Sequence, residues 1–406
     1  MYFDIFFSFS KMDLGQGPPS DRLLFENLFR QIREADSLGF DTAWIGEAHF
    51  SIKTEQSKPE PLLPHFNGEL CINTDILQIA SKALYETKRI GIGSAIRNIL
   101  VNGGPIAHAE AIRTFLTIHG SELERSQRKL HIGFGIGRFV YANEVYGIKA
   151  RNEVERLLWP QVRNTILHEA STLFLRLLKG EILGSKDLEE INLYRKESPA
   201  ENWDKALYLL NLPAQTEIIQ ISPRWEFDKI LLLPEDIGLE HLELVLGSHD
   251  PKLQEHVNTI HPVKVFNLSV TPSATIDATH NRMEKKYHAD GGPWKRSYMP
   301  RTVMIFTCAD ANLSESEQNE KAALEAREAM TAYWKAMEGT VDQKKVEEGM
   351  ENAVYGCPAK VYRDLISRFH PDDRLMTWFD FNTNDAEVVI ERMRAFVNHV
   401  IPFFKN

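Results

Sequence analysis

The sequence predicts an α/β structure, a closed (β/α)8 TIM barrel with insertions at its C-terminal face. Three observations lead there. Short β-prone apolar runs alternate with segments of helical period along most of the chain, a pattern that calls for parallel strands joined by right-handed crossovers. Eight such runs can be counted, four in each half, where a doubly wound sheet would show about five or six and a separate second domain. The length of 406 residues suits either two to three domains of roughly 150 residues or one enlarged barrel. Continuity of the alternation favours a single barrel domain over 1–406.

The elements follow in order. Phe3 to Phe9 is an apolar, aromatic-rich run and reads as the first strand. Pro18-Pro19-Ser20 supplies a turn and an N-cap for a helix with Leu24, Leu28, Ile32 and Ala35 at helical spacing, and Gly39 ends that helix. Thr42 to Gly46 is the second strand, Asp75 to Glu86 a helix, Arg89 to Ile99 the third strand, Ile106 to His119 a helix and Lys129 to Gly137 the fourth strand. The second half gives a helix from Pro160 to Lys179, then strands near Leu242 to Gly247, Val263 to Ser269, Thr302 to Cys308 and Leu375 to Phe381. Two stretches break the rhythm. Residues 180–236, with β-like runs at Glu217 to Ile221 and Lys229 to Leu233, read as an insertion at the barrel mouth. Residues 274–300, polar and carrying Gly291-Gly292-Pro293, read as a mobile lid loop.

Composition excludes several function classes. With 47 basic and 57 acidic residues the formal net charge is −10, so the chain has no electrostatic reason to coat itself with nucleic acid or an anionic membrane. No run approaches the roughly 18 apolar residues that span a bilayer, and the opening MYFDIFFSFS shows no basic leader; a cytoplasmic protein is expected. Cys71, Cys308 and Cys357 are widely separated and read as reduced, incidental thiols. The 14 histidines form no HExxH or HxH pattern, and there is no GxSxG elbow, which disfavours metal and serine hydrolases.

Barrel chemistry sits where strands end at the C-terminal face. After the second strand, Glu47-Ala48-His49-Phe50 brings a carboxylate near an imidazole. His49 is the candidate proton donor or acceptor, and a loop-bonding histidine is the alternative. Gly91, Gly93, Gly133, Gly135 and Gly137 open strand faces either to a flat ligand or to crowded neighbours inside the barrel. The segment GFGIGRF does not satisfy GxGxxG; it places Arg138 just past a strand end, where a guanidinium could hold phosphate or form an ordinary salt bridge. Gly247-Ser248-His249-Asp250-Pro251 offers either a phosphate nest or a plain N-cap.

The run Ala35 to Phe50, with Leu38-Gly39-Phe40-Asp41 leading to Glu47-Ala48-His49-Phe50, resembles the second-strand signature of the bacterial luciferase-like flavin-dependent monooxygenases. Further similar segments are Ile90 to Ile96, Pro105 with Ala109-Glu110, Phe134 to Arg138 followed by Glu144 and Tyr146-Gly147, and near the C-terminus Tyr355 to Val361 and Val400-Ile401-Pro402. The resemblance implies FMN on the C-terminal face. It places Arg138 and Ser248 at the phosphate, and a non-proline cis peptide at Ala95-Ile96 against the ring. The implied cofactor contacts are Glu47, Ser94, Ala95, Ile96, Arg138, Val140, Gly247, Ser248 and His249, with His49 catalytic and no metal. Ala48 stands where the family has the first histidine of Glu-His-His-Phe, and Gly137 where luciferase has its reactive cysteine, so light emission is not expected. Gly103-Gly104-Pro105 replaces a histidine before proline, and Ser121 to Lys129 is a lengthened version of a family turn.

The expected function is therefore an FMN-dependent monooxygenase acting with dioxygen on a small organic substrate. Its flavin would be reduced by a nicotinamide, NAD(P)H, or supplied by a separate flavin reductase. A deazaflavin-dependent dehydrogenase of the same fold and a non-catalytic flavin-binding protein are the alternatives, and a homodimer is expected from the resemblance. Substrate choice would lie in the loops 51–69, 180–236 and 274–300.

Overall fold

The computed structural model describes residues 1–13, 17–137 and 139–405. Eight parallel strands form the centre: β1 Tyr2–Phe7, β2 Thr42–Ile45, β3 Gly91–Asn98, β4 Leu130–Gly135, β5 Leu242–Leu246, β6 Val263–Val265, β7 Arg301–Thr307 and β8 Arg374–Trp378. Each lies within, or within a residue of, the run that the sequence marks. They are hydrogen-bonded in the order β6-β5-β4-β3-β2-β1-β8-β7. A parallel bridge between Asn267 and Arg301 joins the two ends and closes the barrel, with Asn267 N–H donating to the Pro300 carbonyl at 2.9 Å.

Alternation along each strand separates two environments. Ile5, Phe7, Ala43, Ile45, Ile92, Ile132, Leu244, Val303, Ile305 and Leu375 face outward into one large core shared with the helices. Inward-facing Phe6, Trp44, Val245, Phe266 and Met376 fill the barrel as a separate cluster, so the barrel is packed and not a pore.

The helices form where capping and periodicity agree. α1 (Asp21–Leu38) starts at Ser20, whose hydroxyl accepts the Leu23 N–H, and stops at Gly39 with φ 92°. α2 (Ile76–Glu86) starts at Asp75. α3 (Gly104–Ser126), α4 (Trp159–Leu178), α5 (Pro251–Ile260), α6 (Ser273–Lys286), α7 (Glu315–Glu338), α8 (Pro358–Arg368) and α9 (Ala386–Ala395) complete those used below. A further short strand, Val354–Gly356, pairs with Ile305 to Thr307 of β7.

Two expectations need revision. Residues 274–300, expected as a lid loop, begin with α6 and continue into short 3-10 turns. Ile276, Met283, Trp294 and Met299 are buried together with Val265 of β6. The apolar residues in that stretch are spaced to cover a strand end, a signal masked by its polar average. In 180–236, Ile218–Ile221 is a strand as read, but it pairs with Ile191–Tyr194. The run 229–233 contributes only the bridge Leu183 to Ile230. Between the paired strands lies the helix Ala200–Leu209, whose Trp203 is fully buried.

The segment 180–236 is fastened to the barrel helices by buried polar groups. Arg113 of α3 donates to the carbonyls of Leu178, Pro234 and Glu235, and Glu169 of α4 accepts the backbone N–H of Arg224 and Trp225. Trp225 lies over Gly104, where an added Cβ would come 3.0 Å from its indole nitrogen. Gly103 and Gly104 both have positive φ, 93° and 75°, a conformation glycine adopts at least cost. The altered turn before Pro105 is thus matched to the segment that packs on it.

Candidate active site

The C-terminal ends of β2, β3 and β4 converge on one polar network. Arg97, near the end of β3, is 2% exposed. Its Nε donates to His108 Nδ1 at 2.8 Å, and its Nη1 lies 3.4 Å from both Glu47 Oε2 and Asp75 Oδ1. His108 on α3 places Nε2 3.0 Å from the Val101 carbonyl. Since Nδ1 accepts from a guanidinium, the Nε2–H tautomer is required and the ring is neutral. Burial, reinforced by the Arg97 charge, lowers the His108 pKa to about 3. Asn98, the last residue of β3, donates to Asn143 Oδ1 at 2.7 Å, and Asn143 donates to the Ile136 carbonyl at 3.1 Å, which holds the turn after β4.

The side chains of Glu47 and His49 are both buried. Glu47 Oε2 accepts from Ser94 Oγ at 3.3 Å, while Glu47 Oε1 lies 3.5 Å from His49 Nε2. Those last two atoms are buried without a hydrogen-bond partner. The carboxylate-imidazole pair read from sequence is therefore brought together, and each member keeps one unsatisfied atom. Unsatisfied buried polar groups are costly and few in native proteins, and at a strand end they point to a missing ligand group or a proton-handling role.

The floor of the mouth lies beside this network. The Ala95-Ile96 peptide is cis, as the resemblance implies, and both residues are partly exposed above the cluster of Phe6, Trp44, Val245, Phe266 and Met376. Trp378, at the end of β8, packs on the same cluster with its ring 4.9 Å from Phe6. Its indole Nε1 is buried facing the Asp380 carboxylate without a hydrogen bond of good geometry.

The strand glycines mostly relieve crowding. A Cβ at Gly93 would stand 2.7 Å from the Trp44 ring, and one at Gly91 would stand 3.1 Å from His131 Nε2. Gly133, Gly135 and Gly247 surround the Ile96 side chain, with added Cβ atoms coming 2.7, 3.4 and 3.0 Å from it. They make room for the residue that carries the floor. Gly137 has φ 75°, and a Cβ there would meet Asn98 Nδ2 at 2.5 Å; a cysteine at this position would displace the Asn98–Asn143 bond.

The turn after β5 behaves mainly as a cap. Asp250 accepts the Lys252 N–H at 2.9 Å and starts α5, its own N–H donates to Ser248 Oγ at 3.2 Å, and Gln254 donates to the Ser248 carbonyl. A carboxylate thus already occupies that helix N-terminus, which disfavours a phosphate directly on it. Gly247 and His249 are exposed and Ser248 is half-buried. Val140 is the first residue of a short helix, Val140–Val145. Arg138 lies outside the described residues.

Reading strand ends as motifs missed Arg97, His108, Asn98, Asn143 and Trp378. One signal was present: Arg97 is a charge inside the apolar run Ile90 to Val101, and a charge there must be paired.

Residues 1–119 match the family model described as luciferase-like monooxygenase. Among solved structures, a monooxygenase from Streptomyces bottropensis is similar over the whole of both chains, with a TM-score of 0.66 and 15% identity. The oxygenating constituent of 3,6-diketocamphane monooxygenase from Pseudomonas putida, solved with FMN, is similar over 99% of this chain and 98% of its own, with a TM-score of 0.57 and 14% identity. A deazaflavin-dependent secondary alcohol dehydrogenase, solved with a coenzyme–acetone adduct, is similar over 98% of each chain, with a TM-score of 0.52 and 12% identity. At such identities the likeness establishes the barrel fold. No curated protein matches the chain.

Proposed function

We propose that this chain, whose first 119 residues carry the luciferase-like monooxygenase signature, is a flavin-dependent oxidoreductase that uses reduced FMN and dioxygen on a small organic substrate. The observation that carries the reading is the set of unsatisfied buried atoms at the mouth, Glu47 Oε1, His49 Nε2 and Trp378 Nε1, beside the partly exposed floor at Ala95 and Ile96. A flat heteroaromatic cofactor fits such a surface, apolar beneath and with single donors and acceptors at its edge.

When bound, FMN supplies the electron chemistry. The chain's own residues provide the rest. Ala95, Ile96 and the packed barrel interior beneath them exclude water from one side. The Trp378 N–H offers one directed hydrogen bond. Arg97 is fixed by His108, Asp75 and Glu47 and so holds the ends of β2 and β3 in register. His49 holds or moves a proton at Nε2, with Glu47 Oε1 within reach of it. Arg138 would meet the phosphate by its place in the signature, with the Ser248 hydroxyl beside it. Arg138→Ala should then weaken FMN binding by about 1.5–3 kcal/mol, the scale of one charge-assisted bond.

The deazaflavin reading keeps the same floor and differs in ignoring dioxygen. Mixing the purified chain with reduced FMN or reduced deazaflavin, with and without dioxygen, separates the two: retention of reduced FMN supports the proposal, and retention of deazaflavin alone replaces it. The reductant, NAD(P)H directly or a separate flavin reductase, is read from which of them sustains turnover.

A further inference from the structure

A second cavity, of about 300 Å3, opens at the opposite end of the barrel, where the strands begin. Arg89, Lys129, Lys264, Lys295 and Arg374 line it, against Asp41 and Glu243. So many cations at one mouth run against a chain whose formal net charge is −10.

Most of these charges are matched. Arg374 pairs with Asp4 at 2.6 Å and with Asp41 at 3.1 Å. Glu243 receives Lys129 at 3.2 Å and also Lys264, with His131 Nδ1 3.2 Å away. Three cations and three carboxylates balance, counting Asp4 behind the cavity. Arg128, also on the wall, is spent on the Leu84 and Thr87 carbonyls that end α2 and on Glu122.

Two cations of the wall, Arg89 and Lys295, are exposed and form no ion pair among the described residues. Arg89 gives Nη2 to the Asp36 carbonyl at 2.5 Å. Among the described residues the Lys295 Nζ is placed against the Tyr298 ring, 6.0 Å from its centroid. Helix ends account for Arg89 in part, since it closes the C-terminus of α1. They do not account for Lys295, which lies in the coil between α6 and β7. Ser297 and Tyr298 add hydroxyls to the same wall, while the Thr42 hydroxyl is engaged with His131 Nε2 at 3.3 Å. Two spare positive charges with hydroxyls around them match a dianion, and a phosphate monoester is nearly one at neutral pH.

We propose that the N-terminal mouth of the barrel binds a small phosphorylated ligand, its phosphoryl oxygens held by Lys295 and Arg89 with Lys129 at the rim. The cavity is at the lower end of small-molecule sites, so the ligand is inorganic phosphate or a small organic phosphate. It is separate from the flavin face, and it does not depend on the flavin reading.

Calorimetric titration of the full chain at low ionic strength with orthophosphate, and separately with adenosine monophosphate, tests this. Saturable binding near one per chain is expected, weakened about tenfold or more in Lys295→Ala and in the milder Lys295→Gln. FMN affinity should be unchanged in both variants. Tighter binding of the nucleotide than of orthophosphate identifies an organic ligand, and equal binding identifies free phosphate. Absence of saturable binding of both probes, or equal affinity in the parent and both folded variants, overturns the proposal.

Discussion

His49 is held beside Glu47 with its Nε2 unsatisfied, and its part in the chemistry separates from its part in the fold by substitution. General acid–base assistance is worth about 10²–10⁴ in rate, so His49→Gln should slow reoxidation of bound reduced flavin by that order while FMN affinity stays nearly unchanged. Single-turnover oxidation and FMN titration of the same variant check this, and parent values in both would make the residue structural. His108 gives a prediction of different kind. Its folded pKa of about 3 lies below the unfolded value of roughly 6.5, so between these pH values the unfolded chain binds the extra proton. The stability contributed by the neutral ring is fully present above pH ~6.5 and is lost as pH falls, by up to about 1.4 kcal/mol per pH unit. His108→Gln keeps an acceptor and a donor without titrating. Denaturant unfolding from pH 7 to 5 should therefore bring parent and variant closer together, or reverse their order, as pH falls; parallel curves would refute the assignment. At this scale the sequence exposed Glu47 and His49 because they lie two residues apart at a strand end. Arg97 and His108 escaped because their partnership joins a strand to a helix, and no local spacing encodes that.

Among elements, the strands were legible because each is a compact β-prone run bounded by turns, and burial on both faces leaves few polar interruptions. The segment 180–236 was legible only as an exception. Its hairpin joins Ile191–Tyr194 to Ile218–Ile221 across an intervening helix, a pairing that local pattern does not specify. Residues 274–300 misled because their mean polarity hides Ile276, Met283, Trp294 and Met299, which cover β6. The docking of 180–236 rests on Arg113, whose guanidinium satisfies three backbone carbonyls. Arg113→Ala leaves those carbonyls without their donor and should cost about 2–4 kcal/mol. Because the lost bonds fasten this segment, limited proteolysis should cut first within residues 222–236. Uniform resistance, with cleavage sites unchanged from the parent, would show that the Glu169 bonds and the apolar contacts hold the segment without Arg113.

For the molecule as a whole, the closed barrel sets two mouths at opposite strand ends, one apolar-floored with unsatisfied polar atoms and one strongly basic. No described helix is long and apolar enough to cross a membrane. The outer faces of α1, α2 and α3 expose Leu23, Tyr85 and Ile118, and a homodimer through this side is the expectation. Sedimentation at micromolar concentration should give twice the 46.5 kDa of one chain, and a mass near 46.5 kDa would count against it. The proposed flavin site is the mouth formed by β2, β3 and β8. Anaerobic titration of the purified chain with reduced FMN, followed by a pulse of dioxygen, tests it most directly. Saturable binding near one flavin per chain is expected, with reoxidation at a rate distinct from that of free flavin. Flavin that is not retained, and that reoxidises as it does in buffer with the protein present, would contradict the proposed site.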